Sequence, residues 1–591
     1  MISEIKNCQN CKKEFTIESE DLVFYEKIKV PPPTWCPECR FHRRLATINE
    51  RTLFKRKDSF DGKEIVSIFS PDVPFPVFRE EIWRSEKWDP QEYERTYNFS
   101  TPFFKQLKEL FDVVPRQNLN TLNSINCHYC SLINSSKNCY RTVGFMAEDC
   151  LYGHYTRNVK NSADYFYLID SENCYETIDC AHCYNVTHSQ YAAECYNSSF
   201  LYDCVNCHHC FGCIGLRNKS YHIFNKPYQE EEYKKKISQY NLGNQETVKK
   251  LRKEFEELKK TFPRRYAHLF NSVNTTGNNV TNAKNCTFCF DIDPLTSSTE
   301  NCKNVLIATA VKDSYDLVET GEESQLCYEV DTAWGYRVLF SQNIIQGHNV
   351  QYSYNCRDCS DIFGCNGLRN KQYCVLNKQY TKEEYEKLIP KIIEHMNEMP
   401  YVDKKKRIYK YGEFFPTEFS PFAYNETMAQ EYLPFTKEEI LEWGYSWKNP
   451  EAKEHNVTIQ PQNLPNHIKD ITDDILNQII GCEHKGKCNE NCSVAFRIIP
   501  QELEFYRKQN LSFPRLCPNC RHYQRIKQRN PLKLWHRKCT CSGTKSDNGI
   551  YQNTAEHFHK PGRCPNEFET SYALERLETV YCEQCYSVEV A

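Results

Sequence analysis

The sequence predicts a multidomain, mainly β protein in which a duplicated parallel β-helix-like solenoid with helical caps lies between small cysteine-paired domains at both ends. Three observations predict it. A stretch of 48 residues near the start returns near the end, the middle repeats at an offset of 152, and paired cysteines gather outside that middle. At 591 residues the chain has room for several domains rather than one core.

The terminal stretch runs from Asn10 to Lys57 and returns, shifted by 481, as Asn491 to Lys538, with 18 identities and no gap. The first copy carries Cys8-x2-Cys11 and Cys36-x2-Cys39, and the second carries Cys488-x3-Cys492 and Cys517-x2-Cys520. Four thiolates in two close pairs match a closed tetrahedral zinc site, because a d10 ion prefers soft sulfur and needs no open position. Between the pairs, Phe15, Ile17, Leu22, Phe24 and Tyr25 predict a short hairpin. The second pair opens a basic helix, CPECRFHRRLATINERTLFKRK, with Pro37 and Pro518 where a first-turn proline is tolerated. The positive end of that helix favours thiolates. Knuckle, hairpin, then two ligands on a helix start is a treble-clef arrangement. The bland alternative, disulfides or free buried thiols, has to produce the same spacing twice.

The chain has 34 cysteines and no apolar signal core in MISEIKNCQNCKKEF. That combination points to metal ligands and buried thiols in a reducing cytoplasm rather than a disulfide framework. No stretch approaches the roughly 18 apolar residues of a membrane span. Lys+Arg 75 against Asp+Glu 78 excludes any global argument for an acidic or basic partner. Locally the balance is different: seven cations and one acid from Arg40 to Lys57, and eight cations with no acid from Arg515 to Lys538.

Taken in order, the first treble clef spans 1–57 and a Pro- and aromatic-rich connector spans 58–122. Within the connector, TPFFKQLKELF predicts an amphipathic helix with Phe103, Phe104, Leu107 and Phe111 on one side. The first solenoid copy covers 123–233 and closes on a capping helix, PYQEEEYKKKI. A helical linker at 234–275 contains ETVKKLRKEFEELKK, whose charges mark a solvated face. The second copy, 276–398, closes on QYTKEEYEKLIPKIIEHM, and a polar, aromatic linker fills 399–480. The second treble clef occupies 481–538 and a C-terminal zinc ribbon occupies 539–591.

The solenoid reading comes from two nested repeats. FGCIGLRNKSYHIFNKPYQEEEY returns as FGCNGLRNKQYCVLNKQYTKEEY, and the same offset lays Cys204 on Cys356, Cys207 on Cys359 and Cys150 on Cys302. Inside the first copy, Cys174 to Cys195 and Cys183 to Cys204 are both 21 apart, which predicts a coil of that length with small side chains stacked in ladders. The unbroken run Cys204, Cys207, Cys210, Cys213 also resembles an iron–sulfur ligand run. No proline follows it, and Ile362 stands where the first copy has Cys210. Stacked core thiols are therefore favoured over a zinc site or a cluster.

In the C-terminal ribbon, Cys539-x-Cys541 and Cys582-x2-Cys585 close a third site with the fewest assumptions. His557, His559 and Cys564 are alternative ligands there, as are Cys482 and His484 near the second clef, but the histidines are expected as surface residues rather than ligands.

The segments CPECRFHRRLATINER, FGCNGLRNKQYCVLNKQY, GEFFPTEFSPFAYNET, ELEFYRKQNLSFPRLCPNCRHYQRIKQRNPLKLWHRKC and FETSYALERLETVYCEQCYSVEV run from end to end of the chain. On them the chain resembles multi-zinc-finger proteins with a Cys-rich repetitive middle, a group typical of Candidate Phyla Radiation bacteria. The resemblance implies zinc binding and a repetitive middle, and it implies no activity. Asp58 stands where the second copy has Cys539, so the first clef lacks the adjoining zinc pair.

Three functions compete. The leading expectation is a non-enzymatic zinc protein, holding about three ions, that attaches to nucleic acid through its clefs. Arg40, Arg43, Arg44, Arg51, Arg56 and Lys57, with Arg521, Arg525, Lys527, Arg529, Arg537 and Lys538, would lie along two helices and neutralise phosphates. Phe41, His42, Tyr523 and Trp535 would stack on bases. The plain alternative makes these arginines ordinary solubilising residues that also offset thiolate charge. A second reading is a protein-interaction scaffold, with the solenoid as a face and the clefs as docking modules. The third is a redox or hydrolytic enzyme using the central cysteines, and no phosphate loop, H-E-x-x-H motif or Ser/His/Asp set supports it.

Overall fold

The computed structural model describes residues 2–293, 297–321, 323–449, 456–559 and 562–590. The chain is mainly β and divides into two compact units, each assembled from separate stretches. One unit comprises Met1–Asn120, Ala267–Asn449 and Leu532–Leu534; the other comprises Thr121–Tyr266, Pro450–Pro531 and Trp535–Ala591. Among the described residues, no helix is long and apolar enough to cross a membrane.

Each unit holds one β-solenoid. In the second unit an 11-stranded sheet winds from Thr121–Leu122 to Lys226–Pro227, and in the first a 10-stranded sheet winds from Leu269–Phe270 to Lys378–Gln379. Neighbouring strands are parallel apart from the antiparallel hairpin that closes each sheet. The helices Glu230–Ile237 and Lys382–Glu398 follow those hairpins, where the sequence places its capping helices. Thr381 and Glu384 start the second cap with a capping box.

The turn is twelve residues long, not the 21 expected. Tyr184 pairs with Tyr196, and Tyr196 with His208; in the other solenoid Glu300 pairs with Lys312. Within a turn the backbone turns left-handed at every third residue, as at Asn185, His188, Tyr191, Glu194 and Asn197. Twelve residues therefore make four short sides. The residue after each left-handed position points into the core: Cys174, Cys180, Cys183, Cys195, Cys204 and Cys207 are all buried. Asn and Asp tolerate the left-handed region better than other residues with a side chain, so Asn-Cys and Asp-Cys recur along the chain. The spacing of 21 joined inward cysteines on different sides. A true column is Cys183, Cys195 and Cys207, one turn apart.

Two ladders hold the coils together. Outside, Asn185 Nδ2 donates to Asn197 Oδ1 at 2.8 Å, and Asn206 to Asn218 at 2.7 Å. Inside, each thiol donates to main-chain carbonyls. Cys204 reaches the carbonyl of Cys213 at 3.5 Å and Cys207 that of Leu216 at 3.4 Å. Cys204, Cys207, Cys210 and Cys213 are fully buried among other small side chains.

The connector and the 399–480 linker contribute more structure than their composition suggests. Phe69, Phe75, Val77 and Trp83 are buried, as are Tyr409, Phe414, Phe415 and Tyr424. The helix Phe103–Phe111 buries Phe103, Phe104, Leu107 and Phe111, the face its sequence predicts.

The first cysteine-paired region differs from expectation in two places. Phe15 and Ile17 lie on the strand Glu14–Ile17, but Leu22, Phe24 and Tyr25 lie on a helix, Ser19–Ile28, not on a hairpin. A capping box from Glu18 and Asp21 starts that helix, and Leu22, Tyr25 and Ile28 recur at helical spacing on its buried face. The basic segment is a helix only over Pro37–Leu45; Lys57 belongs to the strand Phe54–Lys57.

Candidate metal centres

Three sites share one construction. In each, two cysteines lie in the loop of a short antiparallel hairpin, and two more stand at the N-cap and third position of a helix. For the first, the hairpin is Glu4–Asn7 with Glu14–Ile17 and the helix is Pro37–Leu45. For the second, Ile480–Gly481 pairs with Ala495–Phe496 and the helix is Pro518–Ile526. For the third, Trp535–Lys538 pairs with Glu567–Thr570 and the helix is Glu583–Glu589.

Cys8, Cys11, Cys36 and Cys39 have sulfurs within 4.8 Å of one another, with Cys11 and Cys36 at 3.8 Å. A zinc–sulfur bond of about 2.3 Å gives a tetrahedral edge of about 3.8 Å. The backbone N–H of Cys36 donates to Cys8 Sγ at 3.2 Å and Asn10 Nδ2 donates to Cys39 Sγ at 3.4 Å. All four expected ligands come together.

At the second site the set is Cys482, Cys492, Cys517 and Cys520. Cys482 takes the place that spacing alone gave to Cys488: its sulfur lies 3.8 Å from Cys520 Sγ and accepts from the Cys517 N–H at 3.3 Å. The hairpin loop here carries extra residues, so the partner of Cys492 sits further back in sequence. Cys488 stands beside the set.

The third set is Cys539, Cys564, Cys582 and Cys585. Cys564 lies 3.9 Å from Cys582 and 3.7 Å from Cys585, and the Cys582 N–H donates to Cys539 Sγ at 3.2 Å. Cys541 is not in this set. Cys541, two residues after Cys539, stands in a neighbouring group instead. Asp58, the counterpart of Cys539, instead accepts from Arg79 Nη1 at 2.7 Å.

Thiols packed this closely cannot ionise independently. Hydrogen bonds from Cys36 and Cys39 push Cys8 far below the usual thiol range, while Cys36 and Cys8 push Cys39 far above it. The same split separates Cys517 from Cys520 and Cys582 from Cys585. A dication that takes all four sulfurs as thiolates removes the conflict. The donor set fits zinc.

The arginines expected to face phosphate mostly face protein. Arg40 donates to Asp316 at 2.7 Å, Arg44 bridges Asp316 and Glu329 at 3.1 and 3.0 Å, and Arg43 reaches Glu329 at 3.0 Å while lying 4.4 Å from the Trp35 ring centroid. All three are buried. Burial alone would raise the Asp316 carboxyl, but Arg40 and Arg44 hold it below the usual carboxylate range. In the other unit Arg521 and Arg525 grip Asp164 at 2.7 and 2.9 Å, and Arg529 pairs with Asp179 at 3.0 Å. Arg51 lies 3.6 Å from Glu431, Arg56 donates to the Ser70 carbonyl and Arg537 to that of Ala573. Lys57, Lys527 and Lys538 are exposed, and the last two pair with Glu490 and Glu567. Phe41, His42 and Tyr523 are buried, away from any base. Sequence could not show this, since the acids lie some 270 to 360 residues away from their arginines.

No family model matches the chain, and no curated protein matches it. Among solved structures, a "putative acetyltransferase" from Desulfovibrio desulfuricans G20 is similar at 10% identity over 51% of this chain and 84% of that one. Its TM-score of 0.09 carries no argument.

Proposed function

We propose that the protein is a non-enzymatic, zinc-locked scaffold in which each of two treble clefs clamps a β-solenoid. The observation that carries this reading is the ion-pair set made by the helix that also supplies two ligands. Metal at Cys36 and Cys39 fixes the start of Pro37–Leu45, and the same helix sends Arg40, Arg43 and Arg44 into the acids of the solenoid turn. Cys517 and Cys520 stand in the same relation to Arg521 and Arg525. The zinc thus acts at a distance on the solenoid through one short rigid helix. The resemblance to multi-zinc-finger proteins points the same way.

Chelation tests it. Stripping zinc is expected to release the clefs and to open the solenoid turns they cover to hydrogen exchange, around Asp164 and Asp316. Unchanged protection of those turns after complete metal removal would defeat the reading. Nucleic-acid attachment through the clef arginines would require breaking buried pairs. Fluorescence anisotropy on labelled RNA and DNA at low salt is therefore expected to stay flat, and salt-sensitive binding lost in Arg40→Ala and Arg521→Ala would restore that alternative.

A further inference from the structure

Beside two of the three four-cysteine sets lies a second group of ligand atoms, and each shares one sulfur with the first. Next to the C-terminal set stand Cys541, His557, His559 and Cys585; next to the second clef stand His484, Cys488, Glu490 and Cys520. Cys585 and Cys520 are the shared members. We infer that these two centres are binuclear, each holding a second zinc ion through a bridging thiolate, and the inference rests on the four-cysteine zinc reading above.

The geometry is that of a coordination shell. Cys541 Sγ lies 3.4 Å from His557 Nδ1, and Cys585 Sγ lies 3.5 Å from His559 Nε2. Bonds of about 2.3 Å to sulfur and 2.0–2.1 Å to nitrogen give a tetrahedral edge of about 3.5 Å. The second nitrogen of His557 is committed elsewhere: Nε2 meets Glu589 Oε1 at 2.8 Å, with both side chains fully buried. A carboxylate that holds one ring nitrogen as the donor leaves the lone pair of the other for a metal. Glu589 is itself fixed by Tyr551 and the Thr554 N–H. Cys541 accepts from Gly543 N–H at 3.4 Å and Asn553 Nδ2 at 3.3 Å, the hydrogen bonds a thiolate takes.

At the second clef Cys488 Sγ lies 3.7 Å from the shared Cys520 Sγ. His484 Nδ1 and Glu490 Oε2 approach to 2.9 Å, yet both are buried atoms with no hydrogen-bond partner. Two converging donors in contact without a hydrogen bond suit a cation between them. Lys527 takes the other Glu490 oxygen, leaving Oε2 for the metal. In the first clef the equivalent sulfur, Cys39, is capped by Asn10 instead. The first clef lacks the residues inserted in the second hairpin loop, which is where His484 and Cys488 lie. At the C-terminal centre charge favours the pairing too: five thiolates around two dications leave a smaller excess than four around one.

The test is the zinc count of the full chain by native mass spectrometry, joined to cadmium-113 NMR of the cadmium-loaded protein. Five ions are expected, one at the first clef and two at each binuclear centre. His557→Ala with His559→Ala is expected to remove one ion, and so is His484→Ala with Cys488→Ser. Cadmium nuclei bridged by Cys585 should show mutual coupling in the unaltered protein, so the result does not depend on the variants folding. Three ions in the unaltered protein overturn the bridged centres and leave the four-cysteine sites standing. No bound zinc overturns both.

Discussion

Asp331 is a buried carboxyl whose protonation the fold controls. Burial, with Glu319 nearby, raises it to about 7, although Thr47 Oγ1 and Gln342 Nε2 each donate to Oδ2 at 2.7 Å. An acid raised above its unfolded value near 4 binds more protons when folded, so stability falls as pH rises towards 7. Between pH 6 and 8 this group is expected to cost about 1.4 kcal/mol, and Asp331→Asn to lack that slope in urea titrations of the zinc-loaded protein. Arg44 shows the opposite case, a buried cation whose two terminal nitrogens pair with Asp316 and Glu329. Glu329→Ala leaves Arg43 and Arg44 short of a partner and is expected to lower stability by about 3–5 kcal/mol. A denaturation midpoint unchanged by that substitution would show the pairs to be incidental.

At the scale of elements, the solenoid side of three residues is the unit and the turn of twelve is its closure. Excising twelve residues, 185–196, preserves both the inward positions and the side each faces, so the shortened chain is expected to fold. Excising nine, 185–193, keeps the inward pattern but shifts every later residue by one side. It is expected to lose cooperative unfolding, which calorimetry of the two deletions compares directly. At Asn197, with φ 48°, a β-branched residue is strained as well as unable to accept from Asn185. Asn197→Val is expected to cost about 1–2 kcal/mol. The helix Pro37–Leu45 is a second kind of element, with Cys36 and Cys39 of a four-cysteine group at its start and ion pairs along its flank.

Over the whole molecule the two internal repeats meet in equivalent ion pairs. Adding 481 to Arg40 gives Arg521, and adding 152 to Asp164 gives Asp316; the pairs formed are Arg40 with Asp316 and Arg521 with Asp164. Each unit thus joins one copy of the cysteine-paired repeat to one copy of the solenoid through corresponding residues. The arginines of each cysteine-paired region pair with the solenoid copy further from it in sequence, so each unit draws on distant stretches of chain. Metal removal is accordingly expected to loosen both units, each losing near-UV circular dichroism while far-UV signal from the ladders persists.

The sequence alone determined the four-cysteine grouping of Cys8, Cys11, Cys36 and Cys39 and the presence of a stacked solenoid, because both are written in local spacing. Its turn length was legible as well, in the recurrence of Asn-Cys and Asp-Cys, though the spacing of 21 masked it. Tertiary structure alone decided that Cys482 and Cys564 replace Cys488 and Cys541 in their sets, because loop length does not say which sulfur folds back. It also decided the fate of the basic stripes. A run of arginines looks the same in sequence whether it meets phosphate or protein. Here Asp164, Asp316 and Glu329 claim those charges, and only folding brings residues so distant in the chain within 3 Å of one another.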